Sequence, residues 1–488
     1  MVVLERQGRA GGRAETYEFH PGFKASPYAD EVPEIPSRLF RALDLARHGA
    51  LLAPAAASAC VSDEGTTILY ADEARAARAV PVHARDGLLA LRREVEALRL
   101  AIDRRALEPV RPRQSRAVFW SYRRSSPWPG EEWGQLSLDA ALKSRISDSA
   151  LRLHLAADAV SGRAVSPFLA GTALHLLAPG AGRSGMTAGG LEVLGSALQR
   201  AAAAAGAVIR YGAEVQSIRV TNGRAGALLL AGGEEVTARA ILSSLDVKRT
   251  FFALIDRGAL GGDTAARVGR YRMAGQSARV LVALDSLPEF KPPFGDPDIR
   301  SGPIHMLSSL QALSRAHESW NTGLIPEAPL ITLRFPSLSD PRLAPPGKAL
   351  MTATLSAIPF HLADGPWTRA KRERLAQLVF AAADRVLPGL RERSLAARVI
   401  VSPDIETVLG ATEGDLDGGE FAPDQALGFR PFGDGGWDWM LAWRDGRTPV
   451  TGLYLGGPSS APSPVLLGVA GGRAARSLLA DFDADLLA

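Results

Sequence analysis

MVVLERQGRAGGRAET, residues 1–16, is the stretch from which the rest of the chain can be interpreted. A short apolar run, Val2–Leu4, ends at the acid Glu5, and a glycine pair with an arginine, Gly11–Arg13, follows. In a dinucleotide-binding fold, the second strand ends in an acid that accepts hydrogen bonds from ribose hydroxyls. Glycines let the backbone approach a pyrophosphate closely, and arginine supplies fixed donors. The stretch therefore predicts the second strand of such a fold and the turn after it.

Length and composition restrict the class of protein. The 488 residues suffice for two or three domains with a large core, and 46% apolar and 22% charged residues are ordinary for a soluble globular protein. The net charge is +4 and no dense basic run carries interleaved aromatic residues, so we expect no nucleic-acid partner. The single cysteine, Cys60, excludes a disulfide framework, and no metal site is predicted. Neither a membrane-spanning run nor a signal peptide is found, which favours a cytoplasmic protein.

Hydrophobic spacing predicts an interleaved α/β (α+β overall) architecture. Apolar residues three and four apart predict helices over 86–107, 137–160, 190–205, 367–387 and 469–484, with another near 305–319. Strands are predicted between them, at 66–72, 208–211, 214–221, 277–285, 329–335 and 350–358 among others. Residues 1–70, 185–250 and 405–488 are assigned to a Rossmann-like domain. Residues 71–184 and 251–404 are assigned to a second, mixed domain.

The C-terminal part supplies the second half of the cofactor hypothesis. From Gly452 the sequence predicts a strand, a glycine-lined loop and a helix. A helix N-terminus presents free N–H groups, which suit a phosphate or an electron-rich ring edge. A GxGxxG pattern at residues 180–185 is interpreted instead as a flexible loop, because no strand-ending acid follows about 20 residues later.

No catalytic residue is predicted. The chain has no Ser-His-Asp order and no HExxH motif, and His305 and His361 are interpreted as structural. Three tryptophans, Trp437, Trp439 and Trp443, form an aromatic patch that could wall a substrate cavity or pack a domain junction.

Together these segments resemble the phytoene desaturase-like flavoproteins, within the wider amine-oxidase-like group. VLER followed by GGRAET resembles the family's acid and glycine pair, and GGLEVLGSAL (189–198) resembles its glycine-led helix. YGAEV (211–215), SSLD (243–246), PSLSDPRLAPPG (336–347) and GEFAPDQALGFRP (419–431) resemble further family segments. The resemblance covers essentially the whole chain from Val2.

The resemblance implies an FAD-dependent oxidoreductase in which the flavin accepts hydride from a hydrophobic substrate, with a polyene or isoprenoid as the candidate class. Because such substrates partition into lipid, it also implies peripheral contact with a membrane; the oligomeric state is left open. The cofactor-binding residues that it implies are Glu5, Arg6, Gly11, Gly12, Arg13, Val215, Gly456, Gly457, Gly468 and Val469.

Two departures from the family pattern support an alternative. A first strand and glycine turn should precede Val2–Glu5 and give it a central neighbour in the sheet. We interpret their absence as a truncated reading frame and expect weak FAD binding in the sequence as given. Near the flavin, Pro462–Val465 replaces a glycine-rich loop, and Gly456 stands where the family often has cysteine. The alternative is a flavin-poor, non-catalytic homologue that acts as a binding or regulatory protein.

Overall fold

The computed structural model describes residues 1–32, 35–106, 132–177, 185–187, 190–422, 424–425, 430–432, 446–460 and 467–484. Its strands are β1 (Val2–Leu4), β2 (Tyr17–His20), β3 (Phe23–Ala25), β4 (Leu52–Pro54), β5 (Ala57–Ser62), β6 (Gly65–Tyr70), β7 (Gly185–Thr187), β8 (Val208–Arg210), β9 (Val215–Thr221), β10 (Arg224–Leu230), β11 (Glu235–Thr237), β12 (Ile241–Ser243), β13 (Ser277–Leu284), β14 (Ile304–Met306), β15 (Ile331–Arg334), β16 (Ala349–Ser356), β17 (Ser394–Ile400) and β18 (Leu453–Leu455).

The α-helices of the same residues are α1 (Ser37–Ala42), α2 (Glu73–Ala79), α3 (Arg85–Ala106), α4 (Leu138–Lys143), α5 (Ser149–Val160), α6 (Glu192–Ala204), α7 (Gly262–Arg270), α8 (Pro297–Arg300), α9 (Leu310–Asn321), α10 (Pro336–Ser339), α11 (Arg369–Asp384), α12 (Ser402–Leu409) and α13 (Val469–Asp483). The predicted helix over 86–107 therefore matches α3 closely.

A seven-stranded mixed sheet, in the order β17-β13-β16-β15-β14-β5-β6, is the largest sheet of the described residues. Its strand β13 is an almost continuous apolar run and is buried on both faces. On one face Val280 and Val282 share a core with Leu375 and Val379 of α11. On the other face Leu281 packs in a core with residues of β3. Because both faces of this strand are buried, apolar and polar residues do not alternate along it.

Two parallel strand pairs join distant parts of the chain. β1 pairs with β8, with Val2 opposite Val208, and β12 pairs with β18, with Ile241 opposite Leu453. Parallel neighbours require long crossover connections, which helices such as α6 supply. Beside them, β9, β10 and β11 form an antiparallel meander. The predicted α/β fold class is therefore confirmed.

Local predictions needed three corrections. The helix predicted near 305–319 begins only at Leu310, because residues 304–306 form β14. The helix predicted over 137–160 is two helices, because the Asp148 carboxylate accepts the Leu151 N–H and starts α5 there. The strand β5 was not predicted, because its small residues give no strand signal. Together with β6 it belongs to the seven-stranded sheet, whereas β1 to β4 belong to separate two-stranded sheets.

Several predicted features lie outside the described residues. Of the 180–185 pattern only Gly185 is described, and it pairs with Pro54. The three tryptophans at 437, 439 and 443 and the segment Pro462–Val465 also lie outside them. The domain boundaries remain a prediction.

Candidate functional site

Glu5 lies directly beyond β1, held by backbone bonds to the last residue of β8 and to the segment that follows it. Its N–H donates to the Arg210 carbonyl at 2.9 Å, and its carbonyl accepts from Ala213 at 2.9 Å. The carboxylate Oε1 accepts the N–H of Gln7 at 2.7 Å. The strand-ending acid is thus fixed in position at the end of a parallel pair, where the sequence predicted it.

The glycine turn after β1 adopts a backbone that glycine favours. Gly11 and Gly12 have φ of 151° and 50°, and a Cβ on Gly12 would meet no atom within 4 Å. Helix α6 packs directly beneath, since a Cβ on Gly195 would lie 3.2 Å from the Gly11 Cα. Close helix packing on one side and open space on the other leave the turn backbone accessible to a ligand.

The C-terminal glycines lie where β18 passes into α13. Gly456 donates its N–H to the Ser243 carbonyl at 2.8 Å, and a Cβ on Gly457 would lie 2.5 Å from the Ser244 carbonyl oxygen. Gly468, with φ of 80°, precedes α13, whose first residue, Val469, is buried. No side-chain cap of the helix is found among the described residues, and the first N–H groups of an α-helix have no partner within the helix.

Two of the predicted cofactor residues make contacts elsewhere. The Arg6 guanidinium donates to the Val408 carbonyl at 2.5 Å and lies 3.9 Å from the Glu214 carboxylate. Val215 begins β9, opposite Leu230, and packs half-buried against the core beneath the meander. Glu5 and Val215 are linked through the short turn between β8 and β9, where Ala213 binds Glu5.

A cavity of about 240 Å³ lies between the glycine turn and the seven-stranded sheet. Three of the four arginines in its wall are paired with carboxylates. Arg279 donates to Asp30 at 2.7 Å, and the Arg334 guanidinium donates to Glu31 at 2.8 Å. The charged residues of the wall are Arg13, Asp30, Glu31, Arg163, Arg279, Arg334, Asp415 and Asp417. The wall is therefore strongly ionic.

Arg163 completes the paired set by donating to Asp417 at 2.7 Å. Burial would raise the pKa of Asp417, but the charge and hydrogen bond of Arg163 hold it below its ordinary value. Asp415 differs, because burial and repulsion by Asp417 raise its pKa to about 7. Backbone N–H groups of residues 417–419 oppose that rise by donating to the Asp415 carboxylate.

Arg13 is the wall arginine without a hydrogen bond or ion pair to any described residue. The surrounding protein lowers the pKa of its guanidinium by desolvation, and the charges of Asp417 and Asp415 act in the opposite sense. Arginine stays protonated in proteins, so Arg13 presents a positive charge to the cavity. It reaches the cavity from the glycine turn that the sequence assigned to a cofactor.

Residues 1–402 match the family of flavin-containing amine oxidoreductases. This chain belongs to that family. The match includes β1, the glycine turn and the seven-stranded sheet, and with the relatives below it confirms the predicted flavoprotein resemblance. The family is one of flavin-dependent oxidoreductases, and the predicted cofactor, FAD, is confirmed.

Curated relatives include pyridine nucleotide-disulfide oxidoreductase domain-containing protein 2. The Mus musculus protein is 29% identical over 360 residues, 71% of this chain and 61% of the mouse protein. The Rattus norvegicus protein is 27% identical, with 99% of this chain and 89% of the rat protein covered. Phytoene desaturase (lycopene-forming) of Pseudescherichia vulneris is 26% identical over 277 residues, 56% of this chain and 51% of that protein. The chain spans less than two thirds of the mouse and P. vulneris proteins.

Solved structures show the same fold over almost the whole length. An oxidoreductase from Methanosarcina mazei superposes with a TM-score of 0.58 at 17% identity, covering 99% of this chain and 94% of that one. Cyclohexylamine oxidase from Brevibacterium oxydans gives 0.56 at 13% identity, covering 99% and 93%. At these identities the comparison establishes the fold.

The residues present fit FAD at two places. The open backbone at Gly12 suits an anionic group that approaches the glycine turn, and the N-terminus of α13 after Gly468 suits a phosphate or a ring edge. Bound FAD supplies hydride acceptance. The individual cofactor contacts of the ten predicted residues remain predictions.

Proposed function

We propose that this FAD-dependent oxidoreductase dehydrogenates a substrate whose reacting end enters the ionic cavity. The observation that supports this is the position of Arg13. It belongs to the turn predicted for the cofactor, yet it lines a cavity whose wall also includes Arg279 and Arg334 of the seven-stranded sheet. The cavity thus joins the predicted flavin-binding and substrate-binding parts.

The proposed substrate combines a hydrophobic body with an acidic end. The hydrophobic body, of the polyene or isoprenoid kind, is supported by the resemblance to phytoene desaturase. The acidic end is supported by the wall, because Arg13 has no partner among the described residues while the other three wall arginines have carboxylates. An arginine can bind a carboxylate through two parallel hydrogen bonds.

A pair of probes tests this proposal. An isoprenoid carboxylic acid and the hydrocarbon of the same chain length are added anaerobically to the FAD-loaded chain, and flavin absorbance is followed. The acid should bleach the flavin, and Arg13→Gln should raise the acid concentration required by roughly tenfold, the equivalent of one charge-assisted hydrogen bond.

The outcomes separate the alternatives. Equal bleaching by the hydrocarbon would contradict the acidic end while leaving the oxidoreductase intact. A folded, flavin-loaded chain that neither probe bleaches would favour the non-catalytic homologue. Lys24→Gln, an exposed change on β3, is the charge-matched control and should leave the response unchanged.

Peripheral membrane contact is proposed as the route by which such a substrate arrives. No helix of the described residues is long and apolar enough to cross a membrane. Co-sedimentation with neutral lipid vesicles tests the contact, and protein that stays in the supernatant at every lipid concentration would contradict it.

A further inference from the structure

A line of hydrogen bonds runs from the cavity wall into the core between α5 and the seven-stranded sheet. Ser161 and Thr332 both line the cavity, with their hydroxyl oxygens 2.7 Å apart. Thr332 Oγ1 lies 2.9 Å from His305 Nδ1, and His305 Nε2 lies 2.8 Å from Asp158 Oδ1. Thr332 and His305 are almost completely buried. Three groups therefore connect the cavity to the Asp158 carboxylate without a break.

A second branch leaves the other oxygen of the same carboxylate. Asp158 Oδ2 accepts from the Ser58 hydroxyl at 3.2 Å, and Ser58 Oγ lies 2.8 Å from His154 Nε2. His154 Nδ1 lies 2.9 Å from Thr67 Oγ1, where the described bonds end. None of Ser58, His154 and Thr67 lines the cavity. The two histidines are thus similar in their bonding and different in their access to the cavity.

With Asp158 ionised and His305 neutral, the donor and acceptor atoms of each group determine where the protons lie. Burial would raise the pKa of Asp158, but the His305 hydrogen bond and the neighbouring histidines hold it below its ordinary value. An ionised carboxylate only accepts, so His305 donates from Nε2. In neutral His305, Nδ1 must then accept from Thr332, and Thr332 must accept from Ser161. Every donor on this branch points from the cavity toward Asp158.

Among the described groups around His305, Asp158 is the charged group in direct contact with its ring. His154, on the same helix as Asp158, has its pKa lowered to about 4 by burial and is neutral near neutral pH. Cys60 lies opposite His305 in the neighbouring strand, and burial raises the pKa of its thiol. Arg92 acts on His154 from a distance. A proton that reaches His305 therefore meets a carboxylate and, among the described residues, no adjacent cation.

We propose that Ser161 and Thr332 relay protons between the cavity and His305, which Asp158 holds as a proton acceptor during substrate oxidation. This rests on the proposed dehydrogenation, in which the substrate loses one hydride and one proton. The proton passes to Ser161 Oγ as the Ser161 hydrogen moves to Thr332 and the Thr332 hydrogen moves to His305 Nδ1. The substrate keeps the electron pair of the broken bond, and an imidazolium forms beside the Asp158 carboxylate. Reversal returns the proton to solvent in the cavity.

Proton exchange of the histidine rings tests the relay without any substrate. The full chain, saturated with FAD, is labelled with ¹⁵N in its eight histidines, and ring tautomers and N–H exchange rates are measured by NMR. His305 should be the Nε2–H tautomer. Thr332→Val removes the hydroxyl at nearly constant volume and should slow His305 exchange by about tenfold or more, the equivalent of one lost hydrogen bond.

Matched variants separate a relay from a purely structural network. Ser161→Ala should also slow His305 exchange, and Thr332→Ser should restore it. Thr67→Val removes the corresponding hydroxyl of the second branch, so it should change His154 and leave His305 unchanged. Equal His305 exchange in the parent, Thr332→Val and Ser161→Ala proteins would overturn the relay. Because this readout needs no turnover, a failed substrate assay would contradict the proposed function and not the relay.

Discussion

The ion pair between Asp30 and Arg279 should be among the most sensitive points of the structure. Asp30 lies in the segment after β3, and Arg279 lies on the central strand β13, with both side chains less than a tenth exposed. The guanidinium makes bonds of 2.7 and 3.1 Å to the carboxylate, and a further bond of 3.0 Å to Thr354. The pair links the segment after β3 to strand β13 in the cavity wall.

Asp30→Asn removes the charge and keeps the size. A buried arginine is left uncompensated, which typically costs about 3–5 kcal/mol of the free energy of unfolding. Replacing both partners, as Asp30→Leu with Arg279→Met, should cost less than the single change, because no charge remains in the core. Urea unfolding at neutral pH, followed by tryptophan fluorescence, measures both midpoints.

The pH dependence of the same variant has a defined sign. Burial would raise the pKa of Asp30, but Arg279 holds it below its ordinary value of 3.8. The carboxylate therefore contributes stability above pH 3.8, and this contribution is lost as pH falls through the lower folded pKa. The difference between parent and Asp30→Asn should shrink in that acid range.

Asp285→Asn provides the control, because it removes a surface pair with Lys348 in which the carboxylate is largely exposed. Its urea midpoint should stay at the parent value. If Asp30→Asn shifts the midpoint no more than Asp285→Asn does, the buried pair does not stabilise the wall and the reasoning is refuted.

Three further predictions concern the glycines and the buried histidines. Gly457→Ala should lower the free energy of unfolding by about 1–3 kcal/mol, because the new Cβ would overpack against backbone oxygens. Gly226→Ala places its Cβ where no atom lies within 4 Å, so its urea midpoint should stay at the parent value. Gly195→Ala should weaken FAD binding by pressing on the glycine turn after β1, measured by flavin fluorescence, and an unchanged affinity would refute that contact. Burial lowers the pKa of His154 to about 4 and of His175 to about 3, so at these two sites the unfolded chain binds more protons below pH 6.5, and stability should fall from there toward pH 4. Asp415, whose pKa is raised to about 7, acts in the opposite sense over that range, but it is one group against two. A urea midpoint that does not fall toward pH 4 would contradict the neutral buried rings.

The parts of the fold that sequence predicted well depend on local patterns. The spacing of Leu88, Leu91, Val95 and Leu98 predicted α3 because an α-helix places such residues on one face. Glu5 was placed at a strand end because the acid closes an apolar run. The strand β5 was missed, since small residues such as Ala59 and Cys60 show neither alternation nor strong strand preference.

The cavity and the relay could not be predicted because their partners are distant in the chain. Asp30 and Arg279 are 249 residues apart, and Asp158 and His305 are 147 apart. No spacing rule connects such pairs, so His305 was interpreted only as structural. The packing of Gly195 beneath Gly11 had only a weak signal in the sequence, namely a glycine inside the predicted helix of the segment 189–198, which resembles the family.

Titration of the purified chain with FAD tests the central claim most directly. Flavin fluorescence and the stoichiometry of bound FAD are measured while circular dichroism verifies that the chain is folded. The account predicts saturable binding of one FAD per chain. A folded chain that shows no saturable FAD binding would contradict it.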